Sequence, residues 1–517
     1  MFPYQLLTKL PCDGAKYRDA LYVEELGRAR GPAETMADKY SAESHISGDP
    51  QSWSGIENII KRENNCVFLY ISYVERHVYL GVLKANGDIF FRATDKVKVK
   101  TLIDEDVCDV EGVFKKSGAA CFGVLPSEKC GDRSLGDSVT TSVHEKSRAN
   151  LRGDEIKDIG RTHHLCYEWI VAPVADLLTE PEISIVPDRF SYRVPFAALR
   201  DEPAGKCLSE KYRIRLVPSL ATLRHIQECP SDYHSQSDAL VVGNPTVERR
   251  AAKQAVLQGI HLVSLTHLAA HGDAEREEIA LSPQCTTNST QCSTNIVPKE
   301  EDYLLTMYHI QGVQVRAKLV VLSCCYSGRG LVKKEGVIGI TRAFLASGTR
   351  SVLVASWAIE DEATAKLMDH FYKHLVREES ACESLHQAVQ WLRSYGFPEP
   401  SQWAPFVLMG DNVTFDFLRK GPVNAKLPVV GKKRHEAKVA RAGMLIVDAR
   451  HVVVLARGKK QCRNGKMEAV ERENAQNLTG SAFQRRNADV QASVEEIRAF
   501  ITGLSAEQKD KLHIDLL

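Results

Sequence analysis

From residue 164 onward, short strand-like runs rich in apolar residues alternate with stretches of helical spacing. The runs are 182–188, 213–218, 240–245, 263–270, 319–324, 351–357 and 404–411. Where apolar residues follow one another without a break, as in 319–322 and 352–355, they mark strands buried on both faces. Between the runs, 165–178 has a helical period, and Ser219 stands as a cap before 220–224. Residues 336–346 read as a helix closed by Gly348. In 361–376, Ala363, Leu367, Phe371 and Leu375 recur every four residues on one face, and 385–392 repeats the pattern. Such alternation predicts an α/β fold with a largely parallel sheet flanked by helices.

Outside this core the pattern changes. Residues 66–74 and 78–83 read as strands, with an Asn86-Gly87-Asp88 turn and a return at 89–91. Residues 16–40 read as a helical piece broken at Gly31-Pro32, an element that cannot bury its own face. Residues 126–161 are polar and predict a surface loop. After Asp411, 420–517 holds 19 Lys and Arg against 11 Asp and Glu, with a basic run at Lys432-Lys433-Arg434. Within it, 444–447 and 452–455 could pair as strands, and 494–512 could form a short amphipathic helix pair. The expected layout is therefore a helical stub at 1–50, a domain at 60–415 with its core at 164–411, and a basic extension at 416–517.

Composition narrows the function. A chain of 517 residues implies two to four structural units. A net charge of +1 gives no general case for nucleic acid or membrane binding. The longest apolar run, 66–74, is too short to span a bilayer, and 1–30 has no leader-like apolar core. An intracellular, cytoplasmic setting with reduced thiols follows as the expectation. None of the 14 Cys forms a Cys-x-x-Cys pair, and no Gly-rich phosphate loop follows a strand. Neither metal nor cofactor is expected.

The candidate chemistry lies at two strand ends. His271-Gly272 follows the run 263–270, and Cys325 follows 319–324. If a helical crossover joins these strands they are parallel neighbours, and imidazole and thiol share the carboxyl edge where open α/β sheets place sites. A thiolate beside an imidazole is a nucleophile, and the N–H groups of Gly272 and Cys325 are candidate oxyanion donors. His267 is the rival imidazole, deeper in its strand and suited to packing. Cys324 is the rival thiol; as a neighbour of Cys325 it must point to the opposite face. A core Cys with a capping His remains the plain alternative.

Several motifs in order make 66–411 resemble the CHAT domain, the caspase-like module associated with tetratricopeptide repeats. They are Val186-Pro187-Asp188, Val194-Pro195-Phe196, Val241-Val242-Gly243-Asn244-Pro245, His267-Leu268-Ala269-Ala270-His271-Gly272, Val321-Leu322-Ser323-Cys324-Cys325, Glu335-Gly336-Val337-Ile338-Gly339 and Ser356-Trp357-Ala358-Ile359-Glu360-Asp361. The resemblance implies a caspase–hemoglobinase fold, His271 as general base, Cys325 as nucleophile and Gly272 at the oxyanion site. Cys324 falls where the family has Ala. Asp361 matches a family Asp in a region that in separase-like peptidases receives a basic side chain; a role capping the following helix is its alternative. Residues 16–40 would be the remnant of a repeat array. One departure stands out: family members carry a further strand and helix where Pro245 here lies six residues from Ala251. Two functions follow, a Cys–His endopeptidase acting on proteins or peptides, or a catalytically silent module serving as a protein-interaction scaffold.

Overall fold

The computed structural model describes residues 21, 22, 24, 25 and 28; 53–94 apart from 75 and 76; 110–120; 153–416 apart from 202–204, 237, 244–251, 273–277, 282–299, 334 and 335; and short strands at 445–448 and 451–452. The remaining tail, most of 1–50, the run 432–434, the proposed helices of 494–512 and the segment after Pro245 lie outside these residues.

One sheet organises the molecule. Its strands are β1 (Cys66–Val74), β2 (His77–Leu83), β3 (Ile89–Ala93), β4 (Glu182–Val186), β5 (Arg213–Leu216), β6 (Asp238–Gly243), β7 (Val263–Ala269), β11 (Leu319–Leu322), β14 (Ser351–Ala355) and β15 (Phe406–Gly410), in the spatial order β6-β7-β11-β14-β15-β5-β4-β1-β2-β3. Small pairs complete the count: β8 (His271–Gly272), β9 (Ile279–Ala280) and β10 (Leu304–Leu305) form one sheet, and β12 (Leu331–Lys333) with β13 (Gly336–Ile338) another. The pairs β6–β7, β7–β11, β11–β14, β1–β4 and β4–β5 are parallel. The sheet is mostly parallel, with β15 antiparallel to β14 and the β1-β2-β3 meander antiparallel at the far end. β16 (Leu445–Asp448) lies against β6 and pairs with β17 (His451–Val452).

Helices cover both faces. They are α1 (Trp53–Arg62), α2 (Gly153–Ile170), α3 (Leu220–Gln227), α4 (Ile340–Ala346), α5 (Asp361–Leu375) and α6 (Ala381–Ser394). Val320, Leu322 and Cys324 of the β11 run pack with Phe344 and Leu345 of α4 on one face. Leu319, Val321 and Cys325 pack with Leu367 and Phe371 of α5 and Leu385 of α6 on the other. Alternate residues of one strand thus feed two cores, which explains why its sequence is apolar without interruption. Ser219 caps α3 as its sequence implies, its hydroxyl accepting from Thr222 N at 3.0 Å.

Two expectations need correction. The polar stretch 126–161 is not a loop to its end: α2 begins at Gly153. Its later turns bury Cys166, Trp169 and Ile170, and that packing carries the helix back into the polar segment. The segment 336–346 is not one helix. Residues 336–338 pair with 331–333 as a hairpin, and the helix starts only at Ile340, after Gly339. Two glycines in four residues favour the extended form there.

At the amino ends of β1, β4 and β5 a buried Arg215 gathers its neighbours. Its Nε donates to Glu182 and its Nη2 to Glu63, both at 2.7 Å, and its Nη1 donates to the Gly410 carbonyl at 2.9 Å. Glu63, Cys66 and Glu182 come close enough together to suggest a cation site. The guanidinium already sits among them as the cation, so the cluster is an ion-pair network.

Candidate functional site

β7 and β11 are parallel neighbours, with Leu319 opposite Leu265 and Leu322 opposite Leu268. The ladder runs one step further, Ser323 N donating to the Leu268 carbonyl at 2.9 Å. Beyond that bond both chains leave the ladder: Cys325 lies in a turn, and His271-Gly272 form β8, which pairs with β9. The two backbones still touch. A Cβ placed on Gly272 would lie 2.1 Å from the Cys325 carbonyl oxygen and 3.5 Å from Cys324 Cβ. Only glycine fits there, because the backbone of one strand end rests on that of the other. Sequence reasoning valued Gly272 for its N–H; the close approach is a second, steric reason.

The two thiols part as strand geometry requires. Cys324 joins the α4 side, with its Sγ donating to the Leu268 carbonyl at 3.3 Å. Cys325 joins the α5 side. Both have 0% exposure, and His271 has 8%. His267 is buried on the α5 side, its Nδ1 2.7 Å from the Tyr372 hydroxyl, with the two rings stacked. Burial holds that phenol un-ionised, its pKa far above the ordinary value. His267 is therefore tied into the packing between sheet and helix.

The sequence marks the loop after Cys325 as small, through Ser327, Gly328 and Gly330, but not the bonds that hold it. Tyr326 has φ +60°, a left-handed conformation unusual for an aromatic residue. Its N–H donates to the Trp357 carbonyl at 3.4 Å. Ser327 pins the turn from inside: its hydroxyl donates to the Leu322 carbonyl at 3.1 Å and accepts from Ala355 N at 3.0 Å. Gly328 N donates to the Ala355 carbonyl at 2.8 Å, and Arg329 Nε to the Ser356 carbonyl at 3.1 Å. Burial and nearby Arg193 lower the Arg329 pKa to about 10. A left-handed residue directly after a candidate nucleophile is strain of the kind that accumulates at functional turns. The small Tyr-Ser-Gly sequence hinted at this turn. The Tyr372–His267 contact, 105 residues apart, left no periodic signal.

Asp361 stands at the first position of α5, half-buried, just after the loop that leaves β14. Glu360, not Asp361, occupies the cap position, and its carboxylate accepts from Gln402 Nε2 at 2.8 Å. Glu360 makes no side-chain cap bond, and Asp361 lies in the first turn of the helix. The bonds from Tyr326 and Arg329 to 357 and 356 join the Cys325 loop to the loop bearing Asp361. Three strand ends, carrying His271-Gly272, Cys325 and the approach to Asp361, therefore meet at one carboxyl edge. Among the described residues, no helix is long and apolar enough to cross a membrane.

The CHAT domain model matches residues 161–264 and 246–411, two segments that overlap near the departure after Pro245. Human tetratricopeptide repeat protein 28 is 24% identical over 546 residues, covering 79% of this chain and 22% of that protein. The mouse protein of that name is 24% identical over 319 residues, covering 48% and 13%. The chain thus spans about a fifth or less of the length of these relatives. Two crystal structures of the Saccharomyces cerevisiae separase–securin complex align at 11% identity with TM-scores of 0.43 and 0.44, covering 78% and 79% of this chain and 34% and 35% of theirs. Similar in sequence to tetratricopeptide repeat protein 28, the chain carries a CHAT domain across 161–411.

Proposed function

We propose that this edge is a cysteine endopeptidase site of the caspase and separase type. Cys325 gives its proton to His271, and the thiolate attacks a peptide carbonyl. The N–H groups of Gly272 and Cys325 receive the oxyanion, and His271 returns the proton to the leaving amine. Water, deprotonated by His271, then releases the acyl group from sulfur. Asp361 receives a basic side chain of the substrate. The observation that carries the reading is the seating of Gly272 on the Cys325 carbonyl, at the ends of the neighbouring parallel strands β7 and β11. The substrate is a protein or peptide, and the setting is intracellular, in keeping with the seven free cysteines among the described residues.

One observation favours the second reading, a silent module that binds protein partners: Cys325 has no exposed surface. A peptide carbonyl reaches the sulfur only after the covering side chains move. A peptide electrophile ending in Arg or Lys separates the two readings. It labels the wild-type chain and Cys324→Ala but spares Cys325→Ala if the site is catalytic. Absence of labelling in every variant supports the scaffold, and labelling lost only in Cys324→Ala overturns the choice of nucleophile.

A further inference from the structure

The carboxyl ends of β1, β4 and β5 also hold something: the helical residues near the start of the described chain. Leu21 enters the cluster formed by Ile56, Phe68, Val217, Leu220 and Leu223. The Glu25 carboxylate accepts from Leu220 N and Ala221 N, both at 3.0 Å, satisfying two N–H groups in the first turn of α3. Arg28 donates to the Ile71 carbonyl at 2.6 Å, Val186 at 3.1 Å and Pro187 at 3.3 Å, and lies 4.1 Å over the Tyr70 ring. Both charged side chains are buried, with 5% exposure each. Glu25 and Arg28 thus bind backbone groups from three separate elements. That is more specific than the general packing of an amphipathic helix.

Contacts continue from this point to the candidate site. Pro187, which Arg28 holds, precedes Asp188, whose carboxylate accepts from Tyr73 N at 3.3 Å and pairs with Arg189. The turn Arg189–Arg193 packs against β12 and β13, the hairpin that follows the Cys325 loop. Tyr192 and Pro218 share one cleft with Gly328 and Arg329. The docked segment and the Cys325 loop are therefore two ends of one run of contacts.

We propose that the edge of β1, β4 and α3 is a docking site for the segment bearing Leu21, Glu25 and Arg28, and that its occupancy keeps Cys325 buried. Whatever is joined N-terminally to this segment then has a mechanical route to the site. Undocking removes buried partners from the 187–193 turn and loosens the hairpin behind the loop. The inference rests on the importance of Cys325 but not on its chemistry toward peptides.

The test uses the full chain with a specific protease site placed within 41–50. After cleavage, the N-terminal fragment co-elutes with the domain, while the E25A/R28A variant loses it. Maleimide modification of Cys325, followed by peptide mass spectrometry, becomes faster in the cleaved E25A/R28A protein by at least about tenfold, the scale of losing charge-assisted hydrogen bonds. Adding a synthetic 16–40 peptide with Glu25 and Arg28 restores slow modification, and the doubly Ala-substituted peptide does not. This add-back separates undocking from general unfolding. Equal retention of both fragments overturns the docking, and loss of the fragment with an unchanged Cys325 rate overturns the coupling. Small maleimides need no catalytic machinery, so these outcomes stand apart from the peptide-electrophile result.

Discussion

Gly272 and Ser327 make the strand ends of the candidate site possible. At Gly272 any side chain meets the Cys325 carbonyl, a backbone atom that cannot swing aside. Gly272→Ala is expected to cost about 1–3 kcal/mol, as overpacked sites do, and to shift the Cys325 loop. An unchanged urea midpoint contradicts the close approach. Ser327 joins β11 to β14 through two hydrogen bonds and has 4% exposure. Ser327→Ala leaves the Ala355 N–H and the Leu322 carbonyl without that hydroxyl, a loss of about 2 kcal/mol. A variant of wild-type stability shows that water replaces it. Sequence made His271, Gly272 and Cys325 legible because each follows a recognisable strand. It marked Ser327 only as a small loop residue and left Tyr326 and Tyr372 unmarked, because their importance comes from bonds to residues distant in the chain or from an unusual φ.

At the scale of elements, runs rich in apolar residues identified β7, β11 and β14 and helical spacing identified α5, since burial on both faces leaves a strong pattern; of the three strands only β11 is apolar throughout. The direction of β15 was not legible: an apolar run carries no sign of which way it enters a sheet. The β12–β13 hairpin was hidden because its residues, Val337 and Ile338, suit a helix or a strand equally. Charge placed inside the sheet was also invisible, since Arg215 sits in an ordinary polar–apolar alternation. Arg215→Met should destabilise by about 3–5 kcal/mol, because Glu63 and Glu182 are left near one another without their cation. Adding Glu63→Gln and Glu182→Gln should recover much of that loss. If Arg215→Met alone has the wild-type denaturation curve, the network contributes nothing to stability.

Across the whole molecule, buried histidines set a pH dependence. His163 and His234 have pKa values lowered to about 4, mainly by burial, with 2% and 8% exposure. The unfolded chain binds protons at these positions near pH 6.5, whereas the folded chain resists until about pH 4. Stability present above the unfolded pKa is therefore lost as pH falls through that window, by at most roughly 3 kcal/mol per histidine. Glu25 and Glu63, whose carboxyls burial pushes upward, act in the opposite sense and reduce the net loss. Urea midpoints at pH 7 and pH 5 should differ in the wild type and differ less in His163→Gln/His234→Gln; equal differences contradict the assignment. The measurement closest to the central claim is the rate of Cys325 alkylation by iodoacetamide, followed across pH in the wild type and in His271→Ala. If the imidazole activates the thiol, His271→Ala slows the reaction near neutral pH by about tenfold or more, and Cys324 stays unmodified in both proteins. Superimposable rate profiles, or preferential modification of Cys324, contradict a working Cys325–His271 pair.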